Sequence, residues 1–140
     1  MTPVRVGRDP GGNAGTTRAS VAIGFGSPSG DTGFTRLDLN DILVRHPQAT
    51  FLMRIAGQAM AEAGIDSGDF VLIDRAIPPA NGHVVIAVVG DEFVCRRLSR
   101  QGDDLRLQAS QAGCPDIQAH ETDGFQIWGV VTQVIKAMPV

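Results

Sequence analysis

The sequence predicts a mostly-β domain, a barrel-like or folded sheet with short helical turns, carried behind a mobile N-terminal arm. Three features predict it: short Val/Ile/Leu-rich runs, frequent turn signals between them, and a change of texture near Leu37. Residues 1–33 are rich in Gly, Thr, Ser and Pro, with Pro10-Gly11-Gly12 and Ser27-Pro28-Ser29-Gly30 as strong breakers. Only Val21-Ala22-Ile23 is an apolar run there. Residues 1–33 therefore read as a flexible arm, mildly basic, and 34–140 as the core domain.

The elements follow in chain order. Asp38 is a capping residue ahead of Leu39, Ile42 and Leu43, so a short helix is expected over 38–44. Thr50–Ile55 alternates as a strand does, Ala59–Ala63 suits a helical turn, and Phe70–Asp74 is a short apolar run bounded by turn residues. His83–Val89 and Glu92–Leu98 are joined by Gly90-Asp91, a strong hairpin signal. Gln101-Gly102-Asp103-Asp104 marks a second turn before Leu105–Leu107, and Phe125–Ile135 closes the chain as a Val/Ile-rich strand.

Composition bounds the function. The 140 residues suit one domain with a real core, at 43% hydrophobic and 19% charged residues. A formal net charge of −3 argues against direct, sequence-specific DNA binding, which needs a basic face to displace counterions from phosphates. No apolar run reaches the roughly 20 residues that span a bilayer, and Met1–Ser20 has no signal-peptide core, so no membrane association is expected. Cys95 and Cys114 lack metal-type or disulfide-scaffold spacing, which suits reduced thiols in the cytoplasm. His46, His83 and His120 share no ligand spacing with them, so no metal and no cofactor is expected. Asp66-Ser67-Gly68-Asp69 lacks the ligand ladder of a calcium loop and reads as a tight turn.

Several blocks in order carry a family resemblance. Leu39-Asn40, His46-Pro47 and Ala49-Thr50 resemble the start of a UmuD core. Gly57-Gln58-Ala59-Met60 resembles the cleavage motif in which glycine and one residue precede a nucleophilic serine and a methionine. Gly64-Ile65, Gly68-Asp69 and Val71–Asp74 match the turn and strand that follow, and Gly82 with Val84–Ala87 the next strand. Glu92–Leu98 resembles the strand that bears the family's lysine, and Gly129-Val130-Val131 with Val134–Met138 resembles the C-terminal strand. From about Val21 to Met138 the chain is thus similar to the UmuD-type proteins of the LexA/UmuD self-cleaving serine peptidase family.

The resemblance implies a LexA/UmuD-like core of the β-clip, signal-peptidase-like kind. It also implies a serine that attacks a bond in the protein's own arm, a lysine as general base, and stimulation by RecA filaments. The shortened homodimer would then join a UmuC-type polymerase in error-prone replication past DNA damage. Ile23-Gly24 stands where the scissile bond would be, although the family has a small residue before the cut.

The dyad positions depart from the pattern. Ala59 takes the place of the serine, and a methyl group has no lone pair with which to form an acyl-enzyme. Arg96 takes the place of the lysine. Strand alternation sets Val94, Arg96 and Leu98 on one face and Phe93, Cys95 and Arg97 on the other, so position 96 lies among apolar side chains. Desolvation there can lower a lysine from about 10.4 to roughly 7–8, but an arginine stays protonated and only donates hydrogen bonds. Arg96 must then find carbonyl or carboxylate partners or reach solvent. Lys136 is the only lysine in the chain and lies far along it.

The expectation is therefore a UmuD-like accessory subunit of the SOS response without self-cleavage. The alternative is a RecA-stimulated Ser-Lys peptidase captured as an inactivated variant. The effector half of a LexA-like repressor and a signal-peptidase relative are further readings of the same blocks. The dimer is expected through the β core, with the run Ile127–Val131 as its interface and the arm dispensable.

Overall fold

The structure, a computed structural model, describes residues 2–5, 36–119 and 124–140. They form one eight-stranded antiparallel sheet: β1 (Val4–Arg5), β2 (Thr50–Arg54), β3 (Phe70–Asp74), β4 (Val84–Val89), β5 (Glu92–Gln101), β6 (Asp104–Gln108), β7 (Ile117–Gln118) and β8 (Phe125–Ile135). The spatial order is β1-β2-β3-β8-β4-β5-β6-β7. The chain is mostly β, as the sequence predicts. The helical elements that lie wholly within the described residues are α1 (Leu39–Leu43) and 3-10 turns at Pro47–Ala49 and Ala61–Ala63. Asp38 caps α1 by accepting from the Asn40 N–H, the role its position suggests.

Two apolar clusters lie on opposite faces of the middle strands. Ile86 and Cys95, cross-strand partners, point into the first with Met53, Ile55, Met60 and Ile73. Val85, Ala87, Leu98, Leu107 and Val130 form the second. Both faces of β3 and β4 are thus covered, which is why Val71-Leu72-Ile73 and Val85-Ile86-Ala87 read as continuous apolar runs rather than alternating ones. With so little helix to cover two faces, the sheet folds over itself.

The hairpin β4–β5 closes as predicted, with Val89 opposite Glu92 and Gly90 at positive φ. β8 runs between β3 and β4, and its register shifts against each of them. A bulge of this kind re-aims a side chain, and Trp128 falls at one. It packs edge-on against Phe51 and Phe93, with the Arg75 guanidinium over its ring. Next to it, Gly129 is buried, and a Cβ there would collide with the Ile73 side chain.

Two strands were not foreseen: β1, paired with β2 through Val4↔Leu52 and Arg5↔Phe51, and β7, paired with β6. The run Ile127–Val131, the expected dimer interface, lies on β8 between β3 and β4. β4 pairs with β8 over Phe125–Val130 and β3 over Val130–Ile135, so along Ile127–Gly129 the pairing is with β4 alone. No helix among the described residues is long and apolar enough to cross a membrane. Nor do three metal-ligating side chains gather anywhere among them.

Candidate functional site: a cleft between positions 59 and 96

The loop after β2 carries position 59 and is pinned from both ends. Ile55 N–H donates to the Asp69 carbonyl at 2.8 Å, and Gly68 N–H returns a bond to the Ile55 carbonyl at 2.8 Å. Gly57 takes φ +90°, a conformation that L side chains rarely adopt, and its N–H donates to Ser67 Oγ. Beyond it, the Ala59 carbonyl accepts from Ser110 N–H at 2.7 Å, while Glu62 N–H donates to the Ser110 carbonyl at 2.8 Å. Met60, 2% exposed, anchors the loop in the first core cluster.

The support of this loop reaches the C-terminus. Lys136 Nζ lies 2.7 Å from Asp66 Oδ2 and 2.5 Å from Asp69 Oδ2, clasping the predicted Asp66–Asp69 turn to the end of β8. The lysine's hydrogen bond holds the Asp69 carboxyl below its ordinary value, and the bond to Asp66 together with that to Asp69 raises Lys136. Held protonated in two ion pairs, the chain's one lysine is no general base.

The sign of the pH effect follows from the depressed Asp69. Its contribution to stability is present above the unfolded value of 3.8 and is lost as pH falls through the lower folded value. Lys136→Met should therefore lower the midpoint of urea unfolding at pH 7 and leave it closer to the parent's as Asp69 is protonated in acid. Equal midpoints at pH 7 would show that the clasp contributes nothing.

Position 96 lies across from this loop, on the first half of β5. Ile55–Met60 and Asp91–Arg96 line one cleft of about 490 Å³. The structure thus brings Ala59 and Arg96 to the same cleft, as the resemblance implies. The strand faces also fall as alternation predicts, with Val94 and Leu98 against the second cluster and Phe93 and Cys95 against the first. Of the partners open to it, Arg96 takes a carbonyl: Nη1 donates to the Cys95 oxygen at 2.8 Å. Its Nε is buried and has no acceptor. An unmet buried donor costs about 1–3 kcal/mol. The neighbouring Arg97 turns elsewhere, to the Gly82 carbonyl.

The cleft lining includes no serine, threonine or lysine. The lining's one thiol is Cys95. Burial pushes that thiol up to about 12, against a smaller opposing effect of the Arg96 charge, so it stays protonated and inert at neutral pH. Asp91 and Glu92 at the other end are exposed. The cleft thus has no serine–lysine pair, and its two carboxylates stand at the end away from position 96. Ile23 and Gly24, the expected cleavage site, lie outside the described residues.

Comparison with known proteins now bears on the lineage. The model of the Peptidase S24-like family matches residues 16–132. The chain belongs to this family. It is similar to protein ImpA of Escherichia coli, 35% identical over 131 residues, 91% of this chain and 89% of that one. It is also similar to protein SamA of Salmonella typhimurium, 39% identical over 80% of this chain and 77% of that one. A LexA repressor of Bordetella parapertussis is 32% identical over 64% of this chain and 42% of its own length. The chain is accordingly a UmuD-like member of the LexA/UmuD group, as the motif blocks implied.

One polar pair at the far end of β3 had no sequence signal. His46 Nδ1 lies 2.6 Å from the buried Asp74 Oδ2, and Asp74 Oδ1 accepts from Ala76 N–H. The partners are 28 residues apart. Lys136 with Asp66 and Asp69 was likewise unread, although a lone lysine and two acids three residues apart were the available hint.

Proposed function

We propose that this chain is a UmuD-like accessory subunit of the cytoplasmic SOS DNA-damage response, a homodimer that works beside an error-prone translesion polymerase of the UmuC type. In this reading RecA filaments contact it without triggering a cut. The UmuD-like relatives support the accessory role in SOS mutagenesis. The observation that carries the loss of chemistry is the cleft itself, formed by both dyad positions, with a methyl group at 59 and a guanidinium at 96.

Support for association comes from exposed apolar side chains away from the β8 centre. Leu37, Leu39 and Ile42 are 54%, 58% and 46% exposed, and α1 buries no residue at all. Val134, Ile135 and Met138 are exposed beyond the central run of β8. Patches of this kind mark contact surfaces, and a twofold axis brings the same patch from each copy together.

Size-exclusion chromatography with light scattering tests the proposal. The uncut chain should run at twice its own mass and shift to a larger complex when a UmuC-type polymerase is added. A monomer at micromolar concentration that ignores the polymerase would refute it.

A further inference from the structure

The first half of β5 has an open edge. Among the described residues, Glu92–Arg96 pair only with β4, because β6 joins β5 from Arg97 onward. Val89 and Glu92 flank the two-residue turn as a hydrogen-bonded pair, so alternation turns the main-chain groups of Phe93 and Cys95 away from β4 to this open edge, where the Cys95 carbonyl accepts from the Arg96 side chain. A strand added here would have to stop at Arg96, where β6 takes over. At that end of the cleft stands a guanidinium with one main-chain bond and a buried Nε donor that has no acceptor. At the opposite end stand two exposed acids, Asp91 and Glu92.

We propose that the cleft is a receptor for the free C-terminal carboxylate of an extended peptide, which adds parallel to β5 and ends on Arg96. The proposal rests on the reading that residues 59 and 96 no longer cut. A strand parallel to β5 has its N-terminal end beside Asp91 and Glu92 and its C-terminal end beside Arg96, so both its ends meet the opposite charge. Turning the guanidinium into the cleft breaks only its bond to the Cys95 oxygen. That turn presents the Nε edge, one half of the side-on fork that arginine offers to a carboxylate. It also frees the Cys95 carbonyl to accept a peptide N–H, the way an extended peptide joins a sheet edge. A carboxylate at the chain terminus fits better than one on a side chain, because the groove ends at the level of the main chain where β6 begins.

Isothermal titration of the full chain with three synthetic hexapeptides tests this. The first is Arg-Ala-Ser-Val-Ala-Ile with a free C-terminus, the sequence of residues 18–23. The second is its C-terminal amide, and the third an amide with aspartate in place of isoleucine. The free acid should bind at least about tenfold more tightly than either amide, as loss of a charge-assisted fork requires. Arg96→Gln should abolish that preference, and Arg97→Gln, at the neighbouring arginine that donates to the Gly82 carbonyl, should keep it. Unchanged thermal unfolding of Arg96→Gln would assign its effect to the cleft. If that variant fails to fold, the parent's preference and its loss at high salt decide instead. Equal affinity for acid and amide, or no binding of either at millimolar concentration, would overturn the proposal. The aspartate amide matching the free acid would overturn the terminal assignment. Cleavage of any peptide would instead overturn the underlying reading of an inactive dyad.

Discussion

Ala59→Ser and Arg96→Lys introduced together should make this chain cut itself between Ile23 and Gly24, while either change alone should leave it intact. The loop that carries position 59 is held by main-chain bonds to Ser110, Asp69 and Ser67 that do not involve its side chain. A serine there would inherit a fixed position. A lysine at 96 would lie on the strand face shared with Val94 and Leu98, where desolvation favours the neutral amine that a general base requires. Nucleophile and base act as a unit, so each single variant should stay on the order of 10⁴-fold or more below the pair. Ile23 remains an obstacle in a site that takes a small residue before the cut, and Ile23→Ala should raise the rate of the double variant further. The fragment beginning at Gly24, followed by mass spectrometry, is the readout. A folded triple variant that never cuts would show that the site has decayed beyond positions 23, 59 and 96.

Met60→Ala should destabilise the fold by about 2–5 kcal/mol, the range for emptying a buried methionine site. Met60 is 2% exposed and meets Met53, Ile55, Ile65 and Cys95, residues from different parts of the chain. Burial of this side chain fixes the residue next to position 59 in the core, and its main-chain carbonyl accepts from Ala63 and Ile65 N–H. The loss should appear as a lower urea midpoint with an unchanged slope. In the doubly restored background it should slow cleavage as well, because the nucleophile's position loosens. A shift below about 1 kcal/mol would mean that the cluster closes over the gap and that Met60 is not the anchor.

How legible the molecule was depended on how local each cause is. Phe70–Asp74 and Phe125–Ile135 were read to the residue because their ends coincide with turn chemistry, and β4–β5 because Gly90-Asp91 fixes the register. β5 extends three residues past the expected Leu98, to Gln101, since pairing with β6 holds Ser99 and Arg100 in a strand their polarity does not suggest. β1 and β7 are two residues long, too short to show any period, and exist only because β2 and β6 offer an edge. The interface expected at Ile127–Val131 rests on apolarity and resemblance alone. An apolar run looks the same from sequence whether it lies at an edge or in the middle of a sheet, and β8 lies in the middle.

The site was legible in its parts. Alternation along β5 separated Arg96 from Cys95 correctly, while residue chemistry left carbonyl, carboxylate and solvent open to the arginine, and the structure gives it a carbonyl. That Ala59 and Arg96 share a cleft came from the family resemblance, because 37 positions of sequence carry no geometry between them. The Lys136 clasp and the His46–Asp74 pair join residues across different strands, and no spacing rule reaches that far.

Whether this cleft can still cut decides between an accessory subunit and a self-cleaving peptidase. The full chain incubated at about pH 10, where a free lysine would be substantially deprotonated, and weighed by mass spectrometry over days, tests this most directly. Arg96 cannot give up its proton there and Ala59 has nothing to attack with, so one intact mass is the result predicted. A fragment that begins at Gly24 would contradict the account.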